Sequence, residues 1–146
     1  MQRSTFSPDF YHVLQTVVPR ERLLVQEPLS RHTTFRIGGP ADVLVQPACT
    51  AEVAAVLEIV RTAGVALSVL GNGSNILVRD QGIRGVVIKF DEHMGYIQRD
   101  RQTIIAGAGA MMADVAEYAC EQELTGLEFA IGIPGSIGGA VFMNAG

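Results

Sequence analysis

The chain has no tryptophan and, among its eleven basic residues, a single lysine, Lys89. Cysteine is scarce as well. Cys49 and Cys120 lie far apart, with no cysteine or histidine at ligand spacing beside either, and read as two thiols of a reducing cytoplasm. The three histidines, His12, His32 and His93, form no HxxxH pattern, so no zinc site is indicated. No apolar run is long enough to span a bilayer, because each is short and broken by glycine. The opening Met1-Gln2-Arg3-Ser4 lacks the apolar core of a signal peptide. Positive charge is also in deficit: the net charge of −4 argues against a nucleic-acid surface. No Ser/His/Asp or Cys/His constellation is present. These absences predict a cytoplasmic protein with no membrane and no nucleic-acid partner.

What is present is a globular composition, 48% hydrophobic and 18% charged over 146 residues. A chain of that size buries roughly 70% of its unfolded surface. Two glycine-rich stretches stand out, Leu70-Gly71-Asn72-Gly73-Ser74-Asn75 and Ile133-Pro134-Gly135-Ser136-Ile137-Gly138-Gly139. Each follows an apolar run and offers successive backbone N–H groups with little side chain to block access. Such turns form concave nests that suit phosphate oxygens. Two of them, interleaved with serine and asparagine, point to a diphosphate-bearing ligand.

The first half reads as a β-α-β unit. Ser7 before Pro8 starts a helix, with Phe6 and Tyr11 as a hydrophobic staple; Phe10, Val13, Leu14 and Val17 form its face and Pro19 marks its end. Short strands are expected over residues 23–25 and 41–46. Thr50 is expected to cap a helix with face Val53, Val56, Leu57 and Val60, closed by Gly64. The continuous apolar run 65–70 predicts a buried parallel strand that delivers the chain into Gly71, where ligands sit in α/β sheets.

This arrangement imitates a dinucleotide-binding fingerprint without being one. Gly71 and Gly73 match its first two glycines, but Ile76 stands at the third position, although Asp91 lies where a ribose-binding acid is expected. Between Asn75 and the next strand, 85–90, turn residues replace the amphipathic run that a crossover helix needs. A P-loop is excluded because no Gly-Lys-Ser/Thr follows either glycine stretch.

In the second half, strands 96–98 and 103–106 predict an antiparallel hairpin turning through residues 99–102 and ended by Gly107-Ala108-Gly109. Met112, Val115, Ala116 and Ala119 mark a helix that Gly126 terminates, and residues 127–133 read as another buried stretch. A ligand is expected between the two lobes. Several residues allow two readings. Ser74 and Asn75 either contact a ligand or cap a turn, and Arg36 either reaches a phosphate or is a solvated surface arginine. Met111, Met112 and Met143 read as packing residues, and Glu128 is given no acid–base role.

Three motifs, residues 33–41 (Thr-Thr-Phe-Arg-Ile-Gly-Gly-Pro-Ala), 70–77 (Leu-Gly-Asn-Gly-Ser-Asn-Ile-Leu) and 132–146 (Gly-Ile-Pro-Gly-Ser-Ile-Gly-Gly-Ala-Val-Phe-Met-Asn-Ala-Gly), closely resemble the UDP-N-acetylenolpyruvoylglucosamine reductases. The resemblance runs from about Leu23 to Gly146. It implies an α+β, FAD-binding fold of the vanillyl-alcohol-oxidase (PCMH) type with two α/β lobes, the second incomplete. Residues 1–22 would be a helix and lead-in, 23–90 the first lobe and 91–146 the start of the second. It further implies FAD held non-covalently by Gly71, Asn72, Gly73, Ser74, Asn75 and Leu77, and by Ile133, Pro134, Gly135, Ser136, Gly138 and Gly139. NADPH would be the reductant and the enolpyruvyl ether of UDP-N-acetylglucosamine the substrate, in peptidoglycan and cell-wall synthesis. The arginine, glutamate and serine of the family's mechanism belong to segments beyond residue 146. The chain is therefore expected to hold no catalytic residue, to need the C-terminal part of the same enzyme and to be inactive by itself. Replacing Gly73 by valine is expected to weaken FAD binding by closing the backbone to the ligand. The alternatives are another flavin oxidase of the same fold and a non-catalytic nucleotide-binding module; covalent attachment is disfavoured because residues 70–80 hold neither histidine nor cysteine.

Overall fold

The computed structural model describes residues 8–145; the staple residue Phe6 and the cap Ser7 lie outside the described residues. In chain order the elements are α1 (Pro8–Gln15), β1 (Leu23–Pro28), β2 (Pro40–Val45), α2 (Thr50–Ala63), β3 (Leu67–Leu70), β4 (Ile83–Lys89), β5 (Ile97–Asp100), β6 (Thr103–Ala106), α3 (Met112–Glu121) and α4 (Ile137–Met143). Short 3-10 turns occupy Arg20–Arg22, Leu29–Arg31, Glu92–Met94 and Glu128–Gly132.

The first lobe is a four-stranded sheet in the order β1-β2-β4-β3. Strand β1 runs antiparallel to β2, whereas β2 and β3 both run parallel to β4. The expected β-α-β crossover is therefore present as β2-α2-β3, with β4 slotted between its two strands. That insertion puts β3 at the sheet edge, so the run expected to be wholly buried leaves Val69 at 59% exposure while Leu70 is covered. One face of the sheet packs under α1 and α2 through Leu14, Val18, Val43, Val45, Val56, Val60, Val86 and Ile88. The other face, with Leu44, Leu70 and Val87, is covered by Leu29 and Val78 from connecting loops instead of by helices.

Local chemistry sets the helix ends. Glu52, in the first turn of α2, takes both guanidinium arms of Arg22 at 2.7 Å and the Ala48 N–H at 2.8 Å. Thr50 is the first helical residue and Cys49 the cap, because this glutamate satisfies the entry in place of a hydroxyl. Gly64 closes the helix at φ 64°, as the sequence predicts. The buried stripe of α2 is Val56 and Val60, with Ile59 packed beside them; Leu57 is turned to solvent, as Val13 is in α1.

A wholly buried carboxylate stands at the one irregular point of the sheet. Ala41 pairs with Ile83 but Val43 pairs with Val86, so β4 carries one extra residue. The bulge takes the Gly85 N–H out of the ladder, and Asp42 accepts it at 3.0 Å. The same carboxylate takes the Arg84 guanidinium and the Gln26 amide. Gly85, at φ 98°, has no room for a Cβ, which would collide with the Ala66 carbonyl.

The second lobe begins with the predicted hairpin, β5 against β6. Its turn is tighter than expected, with Arg99 and Asp100 inside the strand and Arg101 at φ 55°. Helix α3 buries Met112, Val115, Ala116 and Ala119, the four residues expected. It ends at Glu121, before Gly126, because Glu123 takes the left-handed conformation first, at φ 57°. Residues 127–133 do not form a buried run: they wind into a 3-10 turn that buries Ala130 and leaves Phe129 and Ile131 each 58% exposed. Short apolar runs do not distinguish strand from helix by pattern alone.

Replacing Asp42 with alanine removes the acceptor for a buried N–H and for Arg84. Stability should fall by about 2–3 kcal/mol, read as a lower urea midpoint with an unchanged slope.

Candidate functional site

Both glycine segments lie at the carboxyl end of the parallel strands. Residues 71–78 form no helix or strand, and none of their backbone N–H groups donates a hydrogen bond to an acceptor among the described residues. The same is true of the N–H groups of Gly135 and Ser136. The chain thus presents two rows of unused amide donors, the arrangement that binds anionic oxygens.

The first row is braced from below. The Thr34 N–H and hydroxyl both donate to the Gly73 carbonyl, at 3.1 and 3.3 Å, and the buried Thr33 hydroxyl ties its own loop by donating to the Ile37 carbonyl at 3.0 Å. A Cβ on Gly73 would collide with the His32 carbonyl, and its φ is 70°. Glycine is required there by loop-on-loop packing, before any ligand is considered. This packing requirement stands beside the expectation that Gly73 serves the approach of a ligand, and it explains why the threonine motif accompanies the first glycine segment.

The second row is half helical. Ser136 caps α4, accepting the Gly139 N–H at 3.4 Å, so Ile137, Gly138 and Gly139 are its first turn. The segment is anchored to the strand-to-α3 connection: Met112 N–H donates to Gly135, Ile137 N–H to Ala110 and Gly138 N–H to Ala108, at 3.0, 2.8 and 2.9 Å.

The two segments meet. A Cβ on Gly71 would lie 2.7 Å from the Ser136 hydroxyl and 3.8 Å from the Gly139 nitrogen, and one on Gly135 would lie 3.1 Å from the Ser74 hydroxyl. Gly71, Ser74, Gly135, Ser136 and Gly139 are therefore brought together, while Gly73 lies against His32 and Thr33. Gly138 faces Ala108 instead, and Ile133 packs with Met112 and Ala116 in the second lobe. Asn75, Leu77 and Pro134 stand at the exposed rim, Leu77 at 70%. Arg36 is exposed, in the left-handed conformation at φ 54°.

Beside the first row, Asn72, Lys89, Asp91 and Met111 line a cavity of about 240 Å³. A larger groove of about 740 Å³ runs along α3 past Ala116, Leu124 and Ile131 and includes none of the glycine-segment residues. Sequence reasoning passed over Lys89 and dismissed Asp91 together with the fingerprint it imitates. The signal for Lys89 was available: a lone lysine ending an apolar strand. Asp91 is buried at the junction of the lobes, where it accepts the Gln46 amide and, at 3.1 and 2.8 Å, the backbone N–H and ring nitrogen of His93. Burial raises its pKa, but these hydrogen bonds outweigh burial and hold the carboxyl below its ordinary value. Asp91, Glu92 and His93 have ligand atoms within 4.8 Å of one another, though the Asp91 carboxylate is already engaged by Gln46 and His93.

Comparison with known proteins bears on this site. A family model described as an FAD binding domain matches residues 41–146. The chain is 49% identical over 138 residues to the UDP-N-acetylenolpyruvoylglucosamine reductase of Clostridium perfringens, covering 94% of this chain and 45% of that protein. It is similar to the crystal structure of UDP-N-acetylenolpyruvylglucosamine reductase from Thermus caldophilus, with TM-score 0.66, 35% identity, and 85% and 42% of the two chains covered. p-Cresol methylhydroxylase shares the fold alone, with TM-score 0.63 at 12% identity over 82% of this chain and 26% of that one. The chain thus spans less than half the length of the relatives it matches. No helix among the described residues is long and apolar enough to cross a membrane.

Two outcomes follow from the geometry. Gly73→Val should lower the thermal midpoint of the apoprotein, because the collision is with backbone; an apoprotein of unchanged midpoint would refute the packing role. Asp91, whose folded pKa is depressed, stabilises the fold above the ordinary carboxylate range, and that contribution is lost as pH falls through the folded value. The stability gap between wild type and Asp91→Asn should be widest near neutral pH and close below about pH 4, measured by urea unfolding across pH.

Proposed function

This chain belongs to the FAD binding domain family, and from that premise we propose that it is the cofactor-binding part of an NADPH-dependent oxidoreductase. The substrate we assign is the enolpyruvyl ether of UDP-N-acetylglucosamine, which the whole enzyme reduces to UDP-N-acetylmuramate for the cell wall. The similarity to reductases of that name supports the substrate, and the chemistry of such a nucleotide sugar suits the cytoplasm. The observation that carries the cofactor reading is that two glycine segments with unused N–H groups, at residues 71–78 and 135–136, lie side by side.

Gly71, Asn72, Gly73, Ser74, Asn75 and Leu77 bind the FAD from the first lobe. Ile133, Pro134, Gly135, Ser136, Gly138 and Gly139 bind it from the second. The amides donate to diphosphate oxygens, an interaction between neutral dipoles and a charged acceptor that is about twice as strong as a neutral hydrogen bond. The Ser74 and Ser136 hydroxyls, each close to a glycine of the opposite segment, supply further donors on the two sides of the cleft. When bound, FAD would supply the hydride chemistry between NADPH and the enolpyruvyl ether. This chain's part is to bind and orient; no acid–base role is assigned to any of its residues. Attachment is non-covalent, because residues 70–80 offer amides and no histidine or cysteine.

The full-length protein should bind FAD, release all of its yellow colour on acid precipitation, and oxidise NADPH at 340 nm only when the enolpyruvyl nucleotide sugar is supplied. Flavin retained in the pellet would refute non-covalent binding, and NADPH oxidation indifferent to that substrate would refute the assignment. Residues 1–146 alone should show no such turnover, since productive transfer depends on groups positioned by the rest of the protein.

A further inference from the structure

Thr34 belongs to no strand or helix, is exposed and lies outside the buried clusters. The loop that carries it is nevertheless fixed. The His32 N–H donates to the Leu29 carbonyl at 2.9 Å, and the His32 ring stands 3.0 Å from the Glu27 carboxylate of β1. The Arg36 N–H donates to the Thr33 carbonyl at 3.1 Å while the Thr33 hydroxyl reaches the Ile37 carbonyl, which closes the loop on itself. This loop runs beside residues 73–79. It meets them at one end where Thr34 holds Gly73, and at the other where the Gly39 N–H donates to the Arg79 carbonyl at 3.0 Å.

The brace bears on the amide that follows. Glycine leaves its own backbone rotation free, so the orientation of the Gly73–Ser74 peptide has to be set from outside residue 73. In a planar trans peptide, the C=O of one residue and the N–H of the next point in opposite directions. With the Gly73 carbonyl held by both Thr34 donors, the Ser74 N–H is directed away from the threonine loop, and it has no acceptor among the described residues. Ser74 is also where the two glycine segments touch, since its hydroxyl lies 3.1 Å from the place that a Cβ on Gly135 would take. The Lys89 ammonium makes a longer contact of the same kind, 3.4 Å from the Gly71 carbonyl. It lies on the carbonyl side of its peptide, beside the acidic cavity of Asp91, Glu92 and Asp114. The N–H groups of Asn72 and Ser74 thus both turn away from the groups that hold the carbonyls before them.

We propose that Thr34 is a positioning residue of the FAD site: by holding the Gly73 carbonyl it aims the Ser74 N–H at an oxygen of the diphosphate. The proposal rests on the FAD reading above. Thr34 acts through the peptide and touches no part of the ligand. Of its two donors, the hydroxyl is the one that a substitution removes without altering the backbone, and valine keeps the branched shape at Cβ.

The test is titration of the full-length apoprotein with FAD and, in competition, with ADP, which carries the diphosphate without the flavin. Thr34→Val should raise the Kd for both ligands about three- to tenfold, the scale of one hydrogen bond. Thr34→Ser, which keeps the hydroxyl, should restore most of the binding. In the flavin-saturated protein the phosphorus NMR resonances of the diphosphate should move in Thr34→Val and return in Thr34→Ser, a signature that a change in fold stability alone does not give. Unchanged affinity in Thr34→Val, weakened FAD binding with ADP competition unaffected, or Thr34→Ser as weak as Thr34→Val would each overturn the proposal. A lowered thermal midpoint of the apoprotein with the resonances unmoved would make Thr34 a residue of fold stability and overturn it too. Failure of the wild-type protein to bind FAD would overturn the functional reading itself, a result separable from binding that is merely indifferent to Thr34.

Discussion

Two adjacent parallel strands joined without a helix are the constraint on which the rest of this structure depends. A parallel connection must carry the chain back along the full length of the sheet. Between β3 and β4 that return is made by loop, and the loop has to cover the sheet face that a helix would otherwise cover. Ile76 and Val78 do this from the connection itself, with Leu29 from the neighbouring threonine-bearing segment. Because the loop must lie flat on the sheet and under a second loop, its backbone runs against the backbone of residues 32–33. Gly73 is the residue that permits the contact. The amides left over from this tight packing make no hydrogen bond among the described residues, so the row of free donors is a by-product of how the sheet is closed.

Charge is used sparingly and at the seams. Asp42 satisfies the bulge in β4 and so keeps the register that brings Lys89 level with Leu70. Asp91 ties the end of β2, through Gln46, to the turn that opens the second lobe. Each of these carboxylates accepts a backbone N–H, of Gly85 and of His93, and so fixes the local course of the chain. The second lobe is held to its own glycine segment by main-chain hydrogen bonds accepted by Ala108 and Ala110 and donated by Met112, and the two glycine segments meet where Gly71 lies against Ser136. The apolar side chains Leu77, Val141 and Phe142 are exposed, at 70%, 78% and 88%. This length is less than half that of the relatives it matches.

The sequence by itself determined the helix faces of α2 and α3 at their buried positions, the β5–β6 hairpin, the Gly64 cap and the absence of a crossover helix after Asn75. These follow from local periodicity and turn chemistry, which act over a few residues and are written in them. It also marked both glycine segments as candidates for one ligand. Tertiary structure alone decided that β4 inserts between β2 and β3, that residues 128–132 wind into a 3-10 turn, and that residues 137–139 begin a helix. It alone assigned Gly73 to packing and brought Lys89 to the Gly71 carbonyl. Strand order and loop contacts join residues far apart in the chain, and no local pattern encodes which distant backbone a glycine must let pass.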